Sequence, residues 1–137
     1  MRVVLDTNIL LSALLKKGSP PDRIRRAWEA RRFTVVTSRG QLAELSRVSR
    51  YPRLRLLLKP HEVGRLILRL QRYAEVLTDL PTVDLAPDPD DNPILATAIA
   101  GRVDVLVTGD RADLLALSRV QGIPVVTARG FLERFVS

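Results

Sequence analysis

Two stretches of the chain share one grammar. In VVLDTNILLSALLKKG (residues 3–18) and VLVTGDRADLLAL (residues 105–117), an apolar β-branched run closes near an aspartate where a helical pattern begins. Asp6 and Asp110 could each simply cap a helix, a common use of aspartate. If the two strands are neighbours, both carboxylates instead meet at one sheet edge, where their repulsion needs a cation to offset it. DPDDN, residues 88–92, adds further oxygens before another helix. It reads either as a solvated Asp-Pro turn capped by Asp90 or Asp91 or as part of the same acidic group. Glu44, in RGQLAELSRV, lies close to the apolar side made by Leu42, Leu45 and Val48, so its carboxylate stands at the edge of that face or is paired. With no cysteine, thiolate ligation and thiol nucleophiles are excluded. An ion here would be held mainly by oxygen, which suits Mg²⁺ or Mn²⁺.

The charge distribution points to a phosphate polymer as the substrate. The net charge is +7, but residues 23–72 hold fourteen Lys/Arg against Glu29, Glu44 and Glu62, whereas residues 79–113 hold eight aspartates against Arg102 and Arg111. A basic half beside an acidic pocket is what a metal-dependent enzyme acting on nucleic acid needs. Nineteen of the 22 cations are arginine, the better bidentate phosphate ligand, although a GC-rich or heat-adapted genome gives the same bias. Arg47, Arg50, Arg53 and Arg55 are candidate RNA phosphate contacts, with Arg25, Arg26, Arg65, Arg69 and Arg72 behind them. Six aromatic residues are too few for a broad base-stacking platform. Trp28, Phe131 and Phe135 read as core, and His61 as surface.

The elements that must position these groups follow from periodicity and punctuation. Strands are expected at 2–6, 33–37, 75–77, 103–108 and 123–126. Helices are expected from 7 to 15, 22 to 31, 39 to 49, 53 to 58, 60 to 73, 91 to 101, 111 to 119 and 128 to 136. Thr7 or Asn8 can cap the first helix and Ser38 the third. The apolar face of residues 63–70 suits the core or an interface. Strands alternating with helices imply a parallel sheet covered on both faces, with ligands outside the carboxyl ends of the strands. The 137 residues suit one domain, 1–137. No run of eighteen apolar residues occurs, and MRVVLDTN lacks the features of a secretory signal, so a cytoplasmic protein with no membrane association is expected.

The pieces VVLDTNILLSAL, LAELSRV with YPRL after it, DPDDNPILATAIAG and VLVTGDRADLLAL, in this order and near this spacing, resemble the PIN-domain family. The likeness is to the VapC-like ribonuclease toxins of bacterial and archaeal toxin–antitoxin pairs. It implies a PIN-like three-layer α/β/α sandwich with a parallel sheet of about five strands. It also implies that Asp6, Glu44, Asp91 and Asp110 hold Mg²⁺ or Mn²⁺. Asp91 is the member of DPDDN whose distance to the following ATA matches the family pattern. Thr7, Asn8 and Thr108 match supporting positions. GDRADLL has one more residue between its aspartates than the commoner GDKDLL, which leaves Asp113 a candidate beside the safer Asp110. The implied activity is endonucleolytic RNA hydrolysis leaving 5′-phosphate and 3′-hydroxyl ends. The implied partners are an RNA substrate, a cognate antitoxin protein and a second copy of the chain, as a homodimer or higher homo-oligomer. A phosphoryl-accepting receiver domain fails because the only lysines are Lys16, Lys17 and Lys59, none after the last strand. A non-catalytic RNA-binding or scaffold module on the same fold is the alternative; such a module would typically have lost acids that are all present here.

Overall fold

The computed structural model describes residues 1–109 and 112–136. The elements are β1 (Arg2–Leu5), α1 (Thr7–Leu15), α2 (Pro20–Glu29), β2 (Thr34–Ser38), α3 (Arg39–Ser49), α4 (Pro52–Arg55), α5 (Pro60–Tyr73) and β3 (Glu75–Leu77). A 3₁₀ turn (Pro89–Asp91) leads into α6 (Asn92–Ala100), followed by β4 (Val105–Thr108), α7 (Ala112–Leu115), β5 (Arg119–Val120), β6 (Ile123–Thr127) and α8 (Ala128–Phe135). The sheet order is β3-β2-β1-β4-β6-β5, with every neighbouring pair parallel except β5 with β6.

The period-two alternation of each strand sorts its side chains into two cores. Val3, Leu5, Val35, Val105, Val107 and Val126 face α1, α2, α3, α5 and α8, whose Ile24, Leu45, Leu70 and Phe131 are fully buried. Val4, Val36, Leu106 and Val125 face the other way, onto Leu95 and Ala98 of α6 and Leu114 of α7. This is the expected PIN-like three-layer arrangement, with Val63, Leu66 and Leu70 of α5 spent on the core.

Some expectations need correction. Between 111 and 119 the helix is short. Arg119–Val120 instead pairs with Ile123–Pro124 as an antiparallel edge hairpin, which adds a sixth strand to the five parallel ones. Its turn, Gln121–Gly122, has both residues at positive φ (49° and 83°), the geometry of a two-residue hairpin turn that matches strand twist. The cap of α1 is neither Thr7 nor Asn8 but Asp6, and it caps by position only, its carboxylate making no hydrogen bond to the helix start. Phe131 is core, whereas Phe135 stacks on it half-exposed. Ser38 caps α3 as expected.

Two polar devices pin the elements in place. The Arg2 guanidinium donates through Nε and Nη2 to the Gly101 carbonyl, 2.9 and 2.7 Å away, and through Nη1 to Glu75, tying β1 to α6 and β3. Gly101 ends α6 so close to the sheet that a Cβ there would stand 2.7 Å from Val36 Cγ1 and 3.0 Å from the Thr97 carbonyl oxygen. On the other face, buried Asp22 accepts from the Gly18 N–H (2.8 Å) and pairs with Arg25 (2.7 Å) and Arg26 (3.2 Å). Glu29 pairs with Arg25 and with Arg69 of α5.

Gly101→Ala is expected to cost about 1–3 kcal/mol, because neither the helix backbone nor the sheet can yield cheaply; a urea denaturation midpoint equal to that of the parent would refute the close-approach argument. Burial pushes the Asp22 carboxyl up, but its hydrogen bond from Gly18 and the charges of Arg25 and Arg26 outweigh this and leave it below the usual range. A carboxyl depressed on folding stabilises fully above its unfolded pKa, near ~3.9, and loses that contribution as pH falls through the folded value. Asp22→Asn should therefore lower stability at pH 7 by about 1.5–3 kcal/mol. The deficit should shrink in melts taken at successively lower pH below ~4.

Candidate active site

The site begins with a strand pairing. β1 and β4 run parallel in the register Val3↔Val105, Val4↔Leu106, Leu5↔Val107, and the Asp6 N–H extends the ladder by donating to the Val107 carbonyl, 2.9 Å away. This puts Asp6 beside Thr108, whose hydroxyl donates to Asp6 Oδ2 over 2.8 Å. Thr108 is fully buried and Asp6 is only 4% exposed, so this bond offsets part of the cost of taking a carboxylate out of water.

Two further elements close in from the sides. At the end of β2, the Ser38 hydroxyl accepts from the Gln41 N–H (3.0 Å) and starts α3. The Gln41 side chain is buried, donating Nε2 to the Leu5 carbonyl (2.7 Å) and accepting from the Thr37 hydroxyl. One amide thus locks α3 to the residue before Asp6, and Glu44 follows one turn later on α3. At the first residue of α6, Asn92 Oδ1 accepts from the backbone N–H groups of Leu85 and Ala86, pinning the proline-rich loop. Asp88 accepts from the Asp90 N–H, and Asp91 is 4% exposed at the N-terminal position of α6 without capping it. Asp6, Thr7, Glu44, Asp90 and Asp91 line one cleft of about 230 Å³ at the carboxyl edge of the sheet, with Gln41 in its wall and Arg47 on its rim.

A family model for the PIN domain matches residues 2–112. The chain belongs to the PIN-domain family. An uncharacterised protein of Methanocaldococcus jannaschii is similar to this PIN domain, 24% identical over 144 aligned positions that cover 98% of this chain and 92% of the relative. Among solved structures, VapBC2 from Rickettsia felis, bound to a DNA fragment from its promoter, shares the fold with a TM-score of 0.59. That likeness is at 18% identity and covers 93% of this chain and 98% of the other. PIN domains are generally nucleases that use divalent metal ions.

In this PIN domain the structure brings Asp6, Thr7, Glu44 and Asp91 to one cleft, with Thr108 reaching it through Asp6. Asn8 is exposed and does not line the cleft. Asp110 lies outside the described residues, as does the side chain of Asp113. Arg47 lines the cleft, whereas Arg50, Arg53 and Arg55 are exposed without lining it. Arg25, Arg26 and Arg69, candidates for phosphate contact, are instead engaged by Asp22 and Glu29. His61 is exposed, as expected. Among the described residues, no three His, Cys, Asp or Glu side chains converge closely enough to hold an ion. The donors that line the cleft are carboxylates, hydroxyls and an amide, without sulfur or imidazole, a set that fits a hard divalent cation.

Gln41 is the residue that sequence reasoning missed. A signal for it existed: Ser38 and Gln41 have the spacing of a capping box, which places Gln41 in the first turn of a helix. That motif would send the amide back to the Ser38 N–H, whereas here it bonds to Leu5 of a different element. Gln41→Leu leaves the buried Leu5 carbonyl and Thr37 hydroxyl without this partner. A loss of about 1–3 kcal/mol is expected in denaturant titrations, and a loss well below 1 kcal/mol would show that water or another donor replaces the amide.

Proposed function

We propose that this PIN domain is a metal-dependent endoribonuclease, the VapC-like toxin of a toxin–antitoxin pair, with residues 1–137 acting as one domain. The observation that carries the reading is the pair of buried carboxylates, Asp6 and Asp91, facing one cleft with Glu44 at the carboxyl edge of a parallel sheet. Asp6, Asp91, Asp110 and Glu44 would hold Mg²⁺ or Mn²⁺. When bound there, such an ion would supply Lewis-acid chemistry, polarising a phosphoryl oxygen and acidifying water.

The chain's own residues supply position and charge. The Thr108 hydroxyl fixes one oxygen of Asp6 and so orients the other. Glu44, half-buried and lining the cleft, would bind the ion or orient the attacking water. Arg47 on the rim is placed to pair with a phosphate of the RNA backbone. Arg50, Arg53 and Arg55, exposed at the end of α3 and on α4, would continue that contact without choosing a sequence. Hydrolysis in this reading leaves 5′-phosphate and 3′-hydroxyl ends. A cognate antitoxin and a second copy of the chain are the protein partners. Exposed Tyr51, Leu56, Leu57 and Leu68 on and beside α4 and α5 support such an interface. Among the described residues no helix is long and apolar enough to cross a membrane; the site of action in this reading is the cytoplasm.

Incubating the purified protein with structured RNA should give cleavage with Mn²⁺ or Mg²⁺ and none with EDTA. Asp6→Asn and Asp91→Asn should each lower the rate by about two orders of magnitude or more. Full activity in both variants would overturn the site. RNA bound tightly but uncut under every metal would mark a binding module instead.

A further inference from the structure

A second hollow lies at the opposite, amino end of the sheet. Its volume is about 700 Å³, against about 230 Å³ for the acid cleft, and it opens around Phe33 and Thr34 at the entry to β2. Ligand pockets run to roughly 300–1,000 Å³, so it can take a small molecule. Four residues of β1 at ~3.3 Å each keep the two sites more than ~10 Å apart.

The wall combines cations with aromatic rings. Arg31, Arg32 and Arg69 stand against one carboxylate, Glu29, already paired with Arg25 and Arg69. The first two arginines come from the end of α2, where the Arg31 N–H bonds to the Trp28 carbonyl (2.8 Å) and the Arg32 N–H to the Ala27 carbonyl (3.1 Å). These two bonds hold Arg31 at φ 61°, a conformation that usually goes to glycine. Tyr73, 58% exposed, lines the hollow. The guanidinium of Arg72, which does not line the hollow, sits 5.5 Å from the ring centroid and steadies it from outside.

We propose that this hollow binds a nucleotide unit, its base stacked on Tyr73 and its phosphate held by Arg31 and Arg32. Every base has a π-face that an exposed tyrosine can stack, and guanidinium groups match phosphate geometry. The unit is either a free nucleotide or one nucleotide of a single-stranded RNA. The site does not depend on the chemistry of the acid cleft.

Trp28 is the sole tryptophan and lines the hollow, so its emission reports binding there. The full chain, in EDTA, is titrated with adenosine monophosphate, adenosine, inorganic phosphate and a ten-nucleotide single-stranded RNA. A saturable change with the monophosphate is expected for a free-nucleotide site, and with the RNA alone for a strand site. Adenosine and phosphate should each bind at least tenfold more weakly. Tyr73→Ala and Arg31→Gly should each weaken binding at least tenfold, and Arg31→Gly suits the left-handed backbone, so its loss cannot be ascribed to a broken helix end. Asp6→Asn should bind as the parent does, whatever its effect on cleavage. The absence of a saturable change with both nucleotide ligands, or a change that survives both substitutions, overturns the proposal.

Discussion

The parallel ladder between β1 and β4 joins residues about a hundred positions apart, and the carboxyl edge depends on it. Leu5 faces Val107 in that register, the Asp6 N–H reaches the Val107 carbonyl, and the next residue on β4 delivers a hydroxyl to the Asp6 carboxylate. A slip by one residue would turn Val3 and Leu5 away from the five-helix face and part Asp6 from Thr108. The hydrophobic pattern that fills the core therefore also sets the polar pairing at the site. Gln41 extends the same logic sideways, since its bond to the Leu5 carbonyl fixes α3, and Glu44 with it, relative to the strand that ends in Asp6.

The basic character of the chain has two different fates. Residues 23–72 carry most of the positive charge, yet Arg25, Arg26 and Arg69 are paired along α2 and α5 with Asp22 and Glu29. Exposed ion pairs of this kind are individually weak. Asp22 is different, since its burial gives its partners a charge that water does not screen. Arg2 is likewise structural, its guanidinium engaged by the Gly101 carbonyl and Glu75, and Glu75 is held below the usual carboxylate range by Arg2. The arginines left to meet a polyanion are thus fewer than composition suggests.

Much of this was legible in the sequence where local and long-range signals agree. The apolar runs at 3–5, 35–36 and 105–107 form adjacent central strands, and Ser38 caps α3 as its position suggests. Three of the four acids chosen from the sequence, Asp6, Glu44 and Asp91, line one cleft. What was hidden depended on tertiary choices. Asp6 stands where a cap belongs, but Thr108, far away in sequence, gives its carboxylate another partner. The edge hairpin at Arg119–Val120 is too short for periodicity to register, and its Gln-Gly turn is a weaker signal than Asn-Gly. Gln41 reads as an ordinary helix-start residue until the Leu5 carbonyl is known to lie across from it.

Because the four long-range pairings are parallel, the sheet has two chemically distinct edges, and sequence position relative to a strand decides which edge a residue joins. Residues that follow strands, such as Asp6 after β1, gather at the carboxyl edge with Ser38 and Thr108 at the strand ends. Residues that precede strands gather at the other edge, among them Arg31, Arg32 and Phe33 before β2. In an antiparallel sheet the same segments would mix, and acids and arginines would neutralise one another. Parallel pairing keeps the acid cleft and the basic, aromatic hollow at opposite ends of the sheet, so neither cancels the charge of the other.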